Sequence, residues 1–522
     1  MWNNYPLLVS EHRDFDSSQH LMTRLTRFPL RILFIALVGA CFTLPYAPAA
    51  AAQNLPTLGD TSRETLSPLM ERKLGEEVMH DIRRDPDYMT DAPLLEYLNN
   101  FGWTLVNARP DVRGEAGFDF FFFAVRDPVL NAFALPGGFI GVHSGLLLAA
   151  QSESELASVL AHEIGHVAQR HIARMVGSQK QDSMIALASM LLGLLTMRGS
   201  PDAGAAVMMG GTGLAMQRQL NFSRDAEREA DRIGLSILDA GGFDTSGMVV
   251  FFGRLQTASR NYSDAVPPYL LTHPLTTERI ADIEARIREQ RYRQHADSLD
   301  FQLIRARVRV LQDDTELGRR EAQFFFETQL KQNTKQQIVA AKYGMAFLAF
   351  KQEDYGKAEA LLEEAMAAAA PARKNLVLTD LGIEIMLATK REAEALKLVE
   401  QAQLQYPLSR GLAHQYARVL IASKRLDEAT KYLREQAQLY RQDADVQDLL
   451  AQAYSAQGKR ALQHMALAES YVLTGSVPAA LDQLRIARNA PDAGFYDQSM
   501  IDARERELQA RWKEELQASK DR

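Results

Sequence analysis

Cysteine is nearly absent from this chain of 522 residues: Cys41 is the single one. A lone thiol cannot close an internal disulfide, so a disulfide scaffold is excluded. An excess of basic charge is missing too, with 59 Lys and Arg against 66 Asp and Glu and a formal net charge of −7. That balance argues against a nucleic-acid partner, because phosphate binding needs clustered Lys and Arg. Long apolar runs are also scarce. Ile32–Leu44, Met184–Leu195 and Ala203–Met216 each fall short of the roughly 20 residues that a membrane span requires. What is present, 46% hydrophobic and 24% charged residues, excludes disordered and collagen-like chains. At about 150 residues per domain, the length suggests two to four domains.

The first apolar run has the context of an export signal. Arg24, Arg27 and Arg31 precede Ile32–Leu44, and the small-residue stretch from Ala47 to Gln53 follows. This is the n-region, h-region and A-x-A order of a secretory signal. Cleavage is expected near Ala49 to Ala52, which makes 1–52 the signal, with 1–21 an N-terminal extension if Met22 is the true start. An uncleaved anchor is the alternative. Cys41 either belongs to a lipoprotein-like box, Val38-Gly39-Ala40-Cys41, or is an h-region residue discarded with the signal. The A-x-A site that follows it favours discard. The exported chain then has no thiol, so any metal must be held by His, Asp or Glu.

The remainder divides into two grammars. Residues 53–300 read as α+β, mainly helical with a small sheet. Helical stretches Leu69–Ile82 and Leu94–Ala108, the first capped by Ser67-Pro68, precede a β-like run Phe118–Val125 and a segment Asn131–Val142 with a turn at Pro136-Gly137-Gly138. Residues 301–495 are all helix and repeat. Tyr343, Ala346, Phe350, Tyr355, Ala358, Leu362, Ala365 and Pro371 match a tetratricopeptide helix-turn-helix unit. Ala395 follows Ala358 by 37 residues and Ala429 follows Ala395 by 34, against a repeat of about 34. The predicted array is a solenoid that binds proteins or peptides in its groove; an ordinary bundle with Ala-rich interfaces is the alternative. Residues 496–522 read as a charged C-terminal helix anchored by Trp512.

One helix carries the chemistry. Ser152-Glu-Ser-Glu155 is a capping box opening a helix with apolar Leu156, Val159, Leu160, Ile164 and Val167. Within it lies His162-Glu163-Ile-Gly-His166. Histidines at i and i+4 project from one face and can share one zinc ion, with Glu163 beside them as general base. Zinc needs a third ligand, but the extended motif is broken by Gln169 and Ile172. His171 lies on a different helical face from His162 and His166 and is expected at the surface. The expected third ligand is Glu227, in Ser223-Arg-Asp-Ala-Glu227-Arg-Glu229-Ala-Asp231. Asp231, four residues on, is placed to accept the free N–H of a ligating imidazole, while Glu229 points away from both. No residue is assigned to stabilise the oxyanion; His143 and Arg254 are the candidates.

These motifs, with Asn131-Ala-Phe-Ala-Leu-Pro-Gly-Gly138, resemble the HtpX and CAAX prenyl endopeptidase family of gluzincin metallopeptidases. With a signal peptide and C-terminal repeats, the whole is similar to that family's periplasmic members acting on outer-membrane β-barrel proteins. The resemblance implies one zinc ion on His162, His166 and Glu227, with Glu163 catalytic. It implies that Asn131, Ala132, Phe133 and Ala134 form an edge strand along which substrate pairs. It also implies degradation, and assistance in assembly, of misassembled outer-membrane proteins, with the repeats engaging the barrel-assembly complex. The alternative is an assembly scaffold or chaperone with proteolysis secondary. The expected location is the periplasm, associated with the outer membrane. In Leu271-Thr-His273-Pro-Leu-Thr-Thr-Glu278-Arg279, His273 can act as a fourth, latching zinc ligand, which the resemblance supports, or can merely pack. Met184–Leu195 and Ala203–Met216 read as a flap touching lipid or the repeats, or as two core helices.

Overall fold

A computed structural model describes residues 66–114, 117–177, 224–261, 268–331, 334–370 and 375–520. The expected export signal with Cys41, and both halves of the expected flap, lie outside the described residues. No helix among the described residues is long and apolar enough to cross a membrane.

Helix α1 (Pro68–Arg84) starts at Ser67, whose hydroxyl accepts from the Met70 N–H, with Pro68 at the first turn where no N–H is needed. Helix α2 (Ala92–Ala108) is capped the same way by Asp91. Three strands follow, β1 (Phe121–Val125), β2 (Ala132–Leu135) and β3 (Phe139–His143), in the order β1-β3-β2. β1 runs parallel to β3, and β2 runs antiparallel to it. The β2–β3 reversal uses Gly137 and Gly138 at φ 78° and 93°, a region that costs other residues strain. The period-2 pleat splits the sheet's side chains. Phe122, Ala124, Ile140 and Val142 enter the main core. Phe123, Leu135 and Phe139 pack with Val78, Met79 and Ile82 of α1 on the other face.

The chain continues through α3 (Ser144–Ala149), α4 (Glu153–Ala168), α5 (His171–Gly177), α6 (Arg224–Gly241), α7 (Ser246–Asn261), α8 (Pro268–Thr272) and α9 (Thr277–Glu289). From residue 299 every described element is helical. After α10 (Leu299–Gln312) and α11 (Glu316–Gln329) come the pairs α12 (Lys335–Lys351) and α13 (Tyr355–Ala368), α14 (Leu376–Ala388) and α15 (Glu392–Gln405), and α16 (Arg410–Ala422) and α17 (Leu426–Leu439). Next are α18 (Ala444–Ala456) and α19 (Arg460–Leu473), then α20 (Val477–Arg488) and α21 (Phe495–Lys520). Ala358, Ala395 and Ala429 are fully buried, where a larger side chain would separate the paired helices. The turn within each of the first four pairs places one residue in the left-handed region: Glu353, Lys390, Lys424 and Gly458. The spacing read from alanines is therefore also a spacing of turns. Trp512 packs on the last pair.

Helix α2 joins the two halves. Glu96 accepts from the Ser409 hydroxyl at 2.8 Å and the Gly411 N–H at 3.1 Å, at the N-terminus of α16.

Candidate functional site

Helix α4 is buried from Glu153 to Val167, as its apolar flanks require. Ser152 caps it by accepting from the Glu155 N–H at 3.2 Å. The return bond of the capping box goes one residue astray: the Glu155 carboxylate accepts from the Gln151 N–H at 2.9 Å and pairs with Arg254 at 2.9 Å. Arg254 is thereby committed seven residues before His162, about 10 Å along the helix, which removes it as an oxyanion candidate. His143, the other candidate, ends β3 with Nε2 3.4 Å from the Asn131 amide and Nδ1 3.5 Å from Asp127.

The second helix of the site, α6, buries Glu227, Ala230, Asp231, Gly234, Leu235 and Leu238, a single face at helical spacing. It crosses α4 closely because both contribute glycine. A Cβ at Gly165 would lie 3.0 Å from the Ala230 carbonyl oxygen, and one at Gly234 would lie 3.1 Å from the His162 nitrogen. This contact carries Glu227 and Asp231 to the histidines.

His162, His166, Glu227 and His273 converge, each offering one ligand atom within 4.8 Å of the others, and all four are buried. His162 Nε2 is 3.0 Å from His166 Nε2 and 3.4 Å from His273 Nδ1. Glu227 Oε1 lies 3.0 Å from His273 Nδ1 and 3.5 Å from His166 Nε2. Tetrahedral coordination at about 2.0–2.1 Å separates ligand atoms by about 3.3 Å, so the donor set fits one small divalent cation. Electrostatics agree. Burial opposes a charge on His162, yet the Asp231 and Glu227 carboxylates more than offset it and push its pKa up to about 9. Burial likewise opposes charge on Glu227, and His273 and His162 hold its carboxyl well below the usual range. The buried carboxylates of Glu227 and Asp231 facing the imidazoles favour a cation among them.

Asp231 meets His162 Nδ1 at 3.0 Å. Both its oxygens also accept from Arg279 at 2.7 Å, and Arg279 reaches Glu227 at 2.7 Å. Glu163 is fully buried; its carboxylate faces the Ala134 N–H, and His273 Nε2 stands 3.6 Å away. Burial, foremost, raises its pKa.

One sequence expectation is overturned. His171 is buried, 3% exposed, with Nδ1 2.9 Å from His166 Nδ1 and Nε2 3.1 Å from Glu229. Helical-face reasoning fails because α4 stops at Ala168. Arg170, at φ 51° and tied to Glu71 at 3.0 Å, turns the chain back so that His171 lies behind His166. Glu229 points away from the cluster, as expected, and buttresses His171 instead. Sequence reasoning also missed Arg279 and Tyr269. For Arg279 a signal existed: it shares the buried face of α9 with Ile283, an unusual place for a cation without a partner.

At the sheet edge, the His143 N–H donates to the Asn131 carbonyl at 3.0 Å. Antiparallel alternation then turns the N–H and C=O of Ala132 and Ala134 away from β3. The opposite edge is covered: Asn99 bonds both the N–H and the C=O of Phe122, and the Met89 N–H takes the Ala124 carbonyl.

Known proteins are similar to this chain. Peptidase family M48 matches residues 111–287, a span containing the whole cluster. Over 490 residues the chain is 33% identical to the beta-barrel assembly-enhancing protease of Escherichia coli (strain K12), covering 92% of this chain and 97% of that protein. It is 37% identical over 342 residues to the putative beta-barrel assembly-enhancing protease of Vibrio cholerae, covering 65% of this chain and 68% of that one. With the mitochondrial metalloendopeptidase OMA1 of Arabidopsis thaliana it shares 29% identity over 231 residues, 43% of this chain and 42% of that one. Through the peptidase region and the repeats alike, the chain belongs to the M48 metallopeptidases and, within them, to the family of beta-barrel assembly-enhancing proteases.

Proposed function

We propose that this metalloendopeptidase uses one zinc ion, held by His162, His166 and Glu227, to cleave misassembled outer-membrane β-barrel proteins in the periplasm. The observation that carries the reading is the buried four-residue donor set with Glu163 fully buried beside it. The division proposed is a peptidase domain over 53–300, repeats over 301–495 that contact clients or the assembly machinery, and a charged terminal helix over 496–522. Zinc rather than another metal is supported by two imidazoles and a carboxylate at tetrahedral separations.

When bound, such an ion supplies carbonyl polarisation and acidifies water toward a pKa of about 7. Glu163 takes the proton of the attacking water and delivers it to the leaving amine. Asp231 fixes the His162 ring through Nδ1, and Arg279 fixes Asp231. An extended substrate pairs with the outward N–H and C=O of Ala132 and Ala134 on β2, whose opposite number at β1 is already covered. His273, packed among the ligand atoms, acts as a latch that must withdraw before substrate enters.

The test is metal analysis of the purified mature chain together with cleavage of an unfolded barrel protein. Zinc near one per chain and cleavage abolished by Glu163→Gln are expected; a metal-free, inactive wild type refutes the reading. Preserved client assembly in Glu163→Gln would favour scaffolding by the repeats.

A further inference from the structure

The ring of Tyr269 packs against the site, and its hydroxyl is used by nothing described so far. Tyr269 is 1% exposed. It sits on α8 four residues before His273, so both side chains leave the same face of one short helical segment. Its ring centroid is 4.7 Å from that of His273 and 6.4 Å from that of His162. The hydroxyl is buried without a hydrogen-bond partner among the described residues. A phenol, with an ordinary pKa of about 10, carries its proton at neutral pH and is a donor. A slot that only needed an aromatic ring would take phenylalanine without the cost of an unpaired hydroxyl, and unpaired polar groups of this kind gather where a ligand completes them.

Other side-chain donors near the cluster already face partners. Arg279 serves Asp231 and Glu227, Arg254 serves Glu155, and the His143 ring faces Asn131 and Asp127. We propose that Tyr269 is a catalytic hydrogen-bond donor, its O–H directed at the carbonyl oxygen of the scissile peptide as that oxygen gains negative charge once His273 has withdrawn. No bond of Tyr269 is made or broken; water adds to the carbonyl carbon, its proton goes to Glu163, and the phenol keeps its own proton throughout. The inference rests on the peptidase reading above.

The experiment uses the full chain with His273→Ala, alone and with Tyr269→Phe, on an unfolded barrel protein and a quenched peptide derived from it. Tyr269→Phe is expected to lower kcat by about 10²-fold with KM within about twofold, as loss of an oxyanion donor does. Metal content should be unchanged, and Tm unchanged or higher, because the variant removes an unpaired polar atom. An unchanged kcat overturns the proposal. So does loss of metal or a lowered Tm accompanying the fall in kcat, since either makes Tyr269 a packing residue. If His273→Ala shows no cleavage that Glu163→Gln abolishes, the peptidase reading itself falls and takes the proposal with it.

Discussion

Replacing Asp231 by Asn changes one charge at nearly constant volume and strikes two partners at once. Both Asp231 oxygens accept from Arg279 at 2.7 Å, and Oδ1 also faces His162 Nδ1 at 3.0 Å. An amide has one acceptor oxygen. Turned toward His162, it presents its NH2 to the guanidinium; turned toward Arg279, it presents NH2 to the imidazole. Arg279 is 2% exposed and keeps Glu227 at 2.7 Å as its remaining carboxylate. Breaking a buried pair costs about 3–5 kcal/mol, and the surviving Glu227 contact places this variant near the lower end, about 3 kcal/mol. Freeing the His162 ring and drawing Glu227 toward Arg279 should weaken metal binding about 10–100-fold, as loss of an imidazole's outer partner does. The assay is urea unfolding of chelated protein for the stability term, and zinc competition against a chromophoric chelator for the affinity term. A change below about 1 kcal/mol, within the range of an exposed ion pair, combined with unaltered zinc affinity, would refute the claim that Asp231 and Arg279 hold the first histidine in place.

His273→Ala should raise cleavage of an unfolded barrel protein while zinc stays near one per chain; each 1.4 kcal/mol by which the latch favours the closed site appears as a tenfold gain, and unchanged activity would exclude a latch. Stripping the metal should lower stability by about 4 kcal/mol relative to protein at a thousandfold excess over Kd, read as a Tm difference with and without chelator; equal Tm values would mean that the cluster binds no ion. Gly75→Ala would set a Cβ 1.9 Å from the Pro136 carbonyl oxygen, and overpacking of about 1–3 kcal/mol should shift α1 against the β2–β3 turn, lowering Tm and activity together; wild-type melting would show that the turn yields freely. In the repeats, Asp443 meets Arg410 at 2.6 Å and His414 at 3.1 Å; burial opposes its charge, but His414 and Arg410 hold its pKa at about 2 against an ordinary 3.8. A depressed carboxyl contributes stability above its unfolded value that is lost as pH falls through the folded one. At 1.36 kcal/mol per unit, wild type should exceed Asp443→Asn by about 2 kcal/mol above pH 4 and converge on it near pH 2 in acid melts; a gap that does not shrink would disprove the pairing.

What was legible in the sequence is what one helix carries by itself. His162, Glu163 and His166 share an element, so spacing alone sets their geometry, and the same holds for Glu227 and Asp231. The repeats were legible because the alanine spacing and the left-handed turns at Glu353, Lys390 and Lys424 obey one period. The parallel β1–β3 pairing was not, because it depends on β2 folding back to the outside of β3 rather than lying between its neighbours. His171 failed for a related reason: helical-face arithmetic assumes an unbroken helix, and Arg170 breaks it with a conformation that its side chain, anchored on Glu71, holds from a distance. Arg279 and Tyr269 lie furthest from sequence reach, since their meaning arises only when α8 and α9 close over the crossing of α4 and α6. Yet each carries a local inconsistency: a guanidinium on an apolar helix face, and a hydroxyl where a plain ring would pack. Violations of local preference that persist in a well-packed region concentrate where chemistry is done. In this chain such departures, more than the apolar pattern around them, mark the side chains that surround the donor set.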